Sequence, residues 1–210
     1  MDQNLSAVEW VHQLCRTLEN HLSRPTEHDN RFAPRGTIRE VLSDGILREL
    51  FARLYPDHSC DNALEARMAN DEQKEQFCNI CAVLLWTTCT IGQFSIEDLT
   101  ARFAPLLSDP GLANRTLPFD KHRCLELFES EFGAQFYALQ FVFLPIDIEE
   151  GRDIVIERSF RLPFTSEFKV KSGSAGEVFR VEIARRHFIP RGEYTTPIHE
   201  VQYKSPFSDH

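Results

Sequence analysis

Nowhere does the chain carry about 18 consecutive apolar residues, so no membrane-spanning helix is expected. The opening MDQNLSAVEW has no basic stretch leading into an apolar one. A secretory leader is therefore not expected, and an intracellular location, cytoplasmic or nuclear, is. Cations are short: 23 Lys and Arg stand against 32 Asp and Glu, a formal charge of −9. The deficit lies in residues 1–150, where 13 basic residues face 24 acidic ones; residues 151–210 hold 10 and 8. A chain so poor in cations is not built to displace counterions from nucleic acid or to sit on anionic lipid. Low-complexity tracts and internal repeats are absent too. With 42% hydrophobic residues, 210 residues are enough to bury a core.

Cysteine is sparse, at six residues: Cys15, Cys60, Cys78, Cys81, Cys89 and Cys124. Without a secretory leader, free thiols are expected. Cys78 and Cys81 have the spacing of a zinc half-site, but no second pair exists to complete it. His58 and Cys60 are the available substitutes. Because the pair falls in an apolar helical stretch, its expected role is core packing.

What is present is mostly helical periodicity. Ser6 and Glu9 have capping-box spacing, followed by Val8, Val11, Leu14, Leu18 and Leu22 on one stripe. Thr37 and Glu40 repeat the box. Leu47, Leu50, Phe51 and Leu54 form a stripe ended by Pro56, and Ser43-Asp44-Gly45 splits it from the segment before. Asp71 opens a longer helix, nearly all apolar over 80–86 and so expected to be central. Ser95 starts another, with Leu99, Phe103 and Leu106 on one face. Three prolines and a glycine over 105–120 predict an irregular connection, and 120–132 one more helix.

After Gly133 the composition shifts. Residues 136–144 are aromatic-rich and predict strand, at least in their second half; 154–156, 168–170, 178–183 and 200–203 predict further strands. The fold class expected is α+β, with a helical module over 1–133 and a partial antiparallel sheet over 134–210. The 17 phenylalanines are expected to pack the core. Carboxylates at Asp147, Glu149, Glu150 and Asp153 form an acidic turn; a cation site is one use of such a turn and simple solvation the other.

Between two predicted strands runs Val170-Lys171-Ser172-Gly173-Ser174-Ala175-Gly176-Glu177-Val178. Glycine at a hairpin lets backbone N–H groups approach phosphate oxygens. A plain hairpin turn that needs glycine for its dihedral angles explains the same residues. Downstream, Val201-Gln202-Tyr203-Lys204 places a lysine at the end of a later strand.

In that order, the glycine segment and the lysine resemble the N-terminal region of fungal protein-kinase-domain proteins. So do Phe32-Ala33-Pro34-Arg35-Gly36-Thr37-Ile38, Ile46 to Leu50, Leu117-Pro118-Phe119, Gln140 to Pro145, Leu162-Pro163-Phe164 and Val181-Glu182-Ile183, over about 30–204. The resemblance implies the start of a kinase small lobe that binds ATP. Gly173 and Gly176 would cover the phosphates, Val178 would pack on the adenine, and Lys204 would reach the α- and β-phosphates. Lys171 stands where the family's first loop glycine would fall, and Ala175 where the loop tip is often aromatic.

The 210 residues contain no His-Arg-Asp catalytic loop, since His122-Arg123 is followed by Cys124, and no Asp-Phe-Gly. No catalytic residue and no metal site is assigned, and phosphoryl transfer by these residues alone is not expected. A fragment or truncated product, or a remnant with another role, is the expectation, its partner being a missing C-terminal kinase lobe or another protein. The alternative is a non-catalytic helical interaction or regulatory module with a purely structural sheet.

Overall fold

The computed structural model describes residues 5–23, 31–109, 117–153, 159–173, 176–184, 186–191 and 199–202. The fold is mixed α+β, and its contacts divide the chain into two units. One comprises Met1–His21 and Gly36–Phe143; the other comprises Leu22–Arg35 and Leu144–His210.

The first unit is helical: α1 (Ala7–His21), α2 (Thr37–Val41), α3 (Asp44–Leu54), α4 (Asp61–Arg67), α5 (Asp71–Ile91), α6 (Ile96–Ser108), α7 (Lys121–Leu127) and α8 (Ser130–Leu139), the last running into a 3-10 turn, Gln140–Val142. Helix α5 is the axis, and α1, α2, α4, α6 and α8 pack on it. Its sequence explains why. Phe77, Cys78 and the run from Ile80 to Leu85 are all buried, so the helix is apolar around most of its circumference and needs neighbours on several sides. Full burial of side chains such as Leu84 and Leu85 contributes roughly 1.5–3 kcal/mol each relative to exposure. No helix among the described residues is long and apolar enough to cross a membrane.

Several helix starts are chemically marked. The Ser6 hydroxyl accepts from the Glu9 N–H at 3.3 Å while the Glu9 carboxylate accepts from the Ser6 N–H at 3.0 Å, the reciprocal box the spacing predicts. Ser95 and Asp98 form a second box at α6, and the Asn70 side chain caps α5 by accepting from the Gln73 N–H. The Thr37–Glu40 box is not formed. Gly36, at φ 90°, takes the cap position of α2 instead, and Thr37 is already helical. A left-handed φ suits glycine and strains threonine, which shifts the boundary by one residue. Ser43 does occupy the cap between α2 and α3, without a side-chain hydrogen bond.

Three further expectations are corrected. Pro105 lies inside α6, which continues to Ser108 rather than breaking at 105. Residues 120–132 form parts of two helices, because Phe128 turns extended at φ −132° and ψ 161°. Residues 136–142 are helical rather than strand. Phe128, Phe132 and Phe136 recur at every fourth position, and the last two lie buried on one face of α8. Their rings meet one another and Phe119 at centroid distances of 5.0–6.1 Å. Packing at helical period overrides the strand preference of aromatic residues. Gly133 lies inside α8 and marks a crossing point. A Cβ there would meet the Cys124 carbonyl oxygen at 2.6 Å, so its absence lets α7 and α8 touch backbone to backbone.

Two cysteines depart from the free-thiol expectation: Cys15 of α1 and Cys89 of α5 are joined as a disulfide across 74 residues. The packing of α1 on α5 brings them together, and sequence spacing gives no sign of it. The other four are free and buried.

The second unit carries the sheet. Strand β2 (Phe164–Gly173) pairs antiparallel with β3 (Gly176–Ile183), and β3 pairs antiparallel with β5 (His199–Gln202). A short parallel pair joins β1 (Ile148–Glu149) to β4 (Phe188–Ile189). Ile148, Phe164 and Val181 form a small core, with Leu162, Ile183 and Phe188 packed on it. The strand expected over 154–156 lies outside the described residues.

Candidate functional site

Period-2 pairing sets the glycine segment at the end of a hairpin. Glu167 pairs with Val181, Phe168 with Arg180 and Lys169 with Phe179. A bulge follows, and then come Lys171 with Val178, Ser172 with Glu177 and Gly173 with Gly176. The two glycines therefore face each other at the tip, across a connection of two residues, Ser174 and Ala175, that lie outside the described residues. Lys171 belongs to the ladder and not to the tip, so its position has no need of glycine. A two-residue connection is also what an ordinary hairpin uses.

The neighbouring strand adds more. Val178 pairs with Gln202, Phe179 with Val201, Arg180 with Glu200 and Val181 with His199. Strand β5 thus runs alongside β3 toward the glycine tip, and its ladder reaches Val178, two residues from Gly176. Lys204 follows Gln202 by two residues in sequence and lies outside the described residues. Gly173, Gly176 and Val178 are thus brought to one end of one sheet, and the strand leading to Lys204 points to that same end. On the same strands, Phe168 is 64% and Val170 55% exposed, while Val181 is fully buried.

Another polar constellation lies in this unit, built from Asp147 of the acidic turn together with His187 and Arg35. Asp147 precedes Ile148 and His187 precedes Phe188, and the parallel pairing of Ile148 with Phe188 puts the two polar residues side by side. His187 is 3% exposed. Its Nδ1 lies 3.1 Å from Asp147 Oδ1, and its Nε2 accepts the Arg35 backbone N–H at 2.9 Å. That second bond requires a lone pair on Nε2, which puts the ring proton on Nδ1, donated to the carboxylate. The Arg35 guanidinium pairs with Asp147 Oδ2, and the Phe32 ring meets the imidazole edge-on at 6.2 Å.

This resembles an Asp-His catalytic dyad only in composition. The nitrogen that would act as base is already occupied by a backbone amide. Burial holds the imidazole below its ordinary range, although the Asp147 carboxylate pulls the other way. His187 is thus a neutral clasp that ties the 32–35 segment to the strand ends. Asp147 has cationic and hydrogen-bonded partners, and Glu149 and Glu150 are engaged by Arg152 and by the Arg191 N–H. Three of the four carboxylates of the acidic turn, Asp147, Glu149 and Glu150, thus have local partners.

The cysteine motif is a core feature. Burial pushes the Cys78 thiol up to about 11 and the Cys81 thiol well above its ordinary value. Among the described residues no group of three or more His, Cys, Asp or Glu side chains is placed to hold a metal ion.

Compared with known proteins, the chain matches no family model, no curated sequence and no solved structure.

Proposed function

We propose that the β-rich unit is a nucleotide-binding module of the protein-kinase small-lobe kind, binding ATP without transferring phosphate by itself. One observation supports it above the others: the glycine-tipped hairpin, Gly173 opposite Gly176, has as its neighbour the strand that leads to Lys204. Backbone N–H groups near the tip would hold the phosphates, Val178 would pack on the base, and the Lys204 ammonium would neutralise the α- and β-phosphates. Such a site requires the β3–β5 ladder to run two residues beyond Gln202, which would set Lys204 against Gly176. Phosphoryl transfer also needs a base and Mg²⁺ ligands, and the 210 residues contain neither family motif.

Thermal unfolding with and without Mg·ATP tests this. A nucleotide at a hundredfold its dissociation constant stabilises by about 2.7 kcal/mol. The expected result is an upward shift with ATP and ADP that Lys204→Met abolishes while leaving the unliganded midpoint unchanged. No shift at saturating nucleotide would overturn the nucleotide role and leave the helical unit as the functional half, an interaction or regulatory module beside a structural sheet.

A further inference from the structure

We propose that Cys15 and Cys89 form a reversible thiol–disulfide exchange site, through which small thiols such as glutathione fasten or release helix α1 on helix α5. The two residues lie on the helices that form part of the core of the helical unit, with a Cα–Cα distance of 6.7 Å. Their surroundings are unequal. Cys89 sits in the last turn of α5 and is partly exposed, whereas Cys15 is 5% exposed. Of the two residues Cys89 is the more open to solvent, so in this proposal its sulfur is the one an incoming thiolate attacks, with Cys15 as the leaving group.

The reduced state has its own accommodation. Cys15 Sγ lies 3.3 Å from the Leu85 carbonyl oxygen, an acceptor that a disulfide sulfur cannot use and a thiol can. Each oxidation state of Cys15 thus has a partner, a covalent one or a hydrogen bond. The remaining cysteines are set apart from this chemistry. Cys60, Cys78, Cys81 and Cys124 are buried, and burial holds all four thiols protonated.

The exchange balances in two steps. A thiolate of glutathione attacks the Cys89 sulfur, forming a mixed disulfide there, and the Cys15 thiolate released takes up a proton. A second glutathione thiolate attacks the mixed disulfide, oxidised glutathione leaves, and Cys89 takes up a proton. In the reverse direction oxidised glutathione is the oxidant and two molecules of reduced glutathione leave. The site shares no residue with the proposed nucleotide module and stands independently of it.

The test is to equilibrate the full chain in buffers of graded reduced-to-oxidised glutathione ratio. Samples are then trapped by acid, alkylated under denaturing conditions and measured by intact mass and peptide mapping. The expected result is a single transition from four to six alkylated thiols, with the two new sites at Cys15 and Cys89. A higher thermal midpoint should accompany the four-thiol state. Cys89→Ser should show five alkylated thiols and one thermal midpoint at every ratio. Six thiols at all ratios, four at all ratios, or a transition mapping to other cysteines would each overturn the proposal. So would a redox-dependent midpoint that persists in Cys89→Ser. The two tryptophans, Trp10 on α1 and Trp86 one turn before Cys89, give a second readout. Their emission should change at the same ratio as the thiol count, and a change at a different ratio would count against the proposal.

Discussion

The side chain of Gln140 replaces a strand partner for the backbone of Phe119. Its Oε1 accepts the Phe119 N–H at 2.8 Å and its Nε2 donates to the Phe119 C=O at 2.8 Å, with a further donation to the Tyr137 C=O at 3.2 Å. Gln140 is fully buried and Phe119 nearly so. Neither backbone group of Phe119 can turn to water, so the amide is the means by which the segment after Pro118 enters the core.

Removing that amide should therefore cost more than its contacts suggest. Gln140→Ala strands two buried backbone groups at about 1–3 kcal/mol each. Gln140→Leu fills the volume without restoring the bonds, and is expected to be nearly as destabilising. Denaturant unfolding of the two variants separates the terms; a stable Gln140→Leu protein would show that packing, not pairing, sets the cost.

Two glycines should respond with opposite sign to the same substitution. Gly45 lies exposed in the first turn of α3, with open space around a Cβ built on it. Gly45→Ala is expected to stabilise by about 0.5–1 kcal/mol, through helix propensity and a less flexible unfolded chain. Gly133→Ala drives a Cβ into the Cys124 carbonyl and must spread α7 from α8, with an expected loss of about 1–3 kcal/mol. Paired thermal melts decide the signs directly.

The His187 clasp carries a pH dependence. Burial lowers its folded pKa below the ordinary 6.5; Arg35 adds to that, and the hydrogen bond and charge of Asp147 oppose it. The folded state thus binds fewer protons than the unfolded one in the window just below 6.5. The stabilisation from neutral His187 is complete above that value and is lost as pH falls through the lowered folded pKa. Protonation also removes the lone pair that accepts the Arg35 N–H. Unfolding midpoints should therefore fall between pH 7.5 and 5 in the parent chain, and more shallowly in His187→Gln. Equal slopes would show that other groups dominate.

In the proposed nucleotide site, binding and chemistry should separate. With Mg·ATP the chain is expected to show nucleotide-dependent stabilisation but no transfer of labelled γ-phosphate to itself or to a generic acceptor protein. Phosphoryl transfer abolished by Lys204→Met would require a base and metal ligands that no family motif here supplies, and would refute the non-catalytic part of the proposal.

Much of this protein is local in origin and was legible as such. The stripes of Val11, Leu14 and Leu18, of Leu47, Leu50 and Leu54, and of Leu99, Phe103 and Leu106 each report a helix, because the same few neighbours set both pattern and conformation. The burial of α5, the hairpin around Gly173 and Gly176, and strands over most of 168–170, 178–183 and 200–203 follow equally from short windows.

Other features arise only where distant segments meet. Whether Phe136 lies in a helix or a strand depended on the rings of Phe119, Phe128 and Phe132 around it. Gly133 reads as punctuation until α7 crosses it. Cys15 and Cys89 are 74 residues apart and Asp147 and His187 are 40, and nothing in either interval encodes the approach. Outside the 136–142 segment, the amino-acid order determined most of which segments coil and which extend, since hydrogen bonding and side-chain period act over a few residues. The tertiary structure decided which polar groups lose water and which partner replaces it. That outcome depends on the path of the whole chain, and with it came the disulfide, the neutral histidine and the alignment of β5 beside the glycine hairpin.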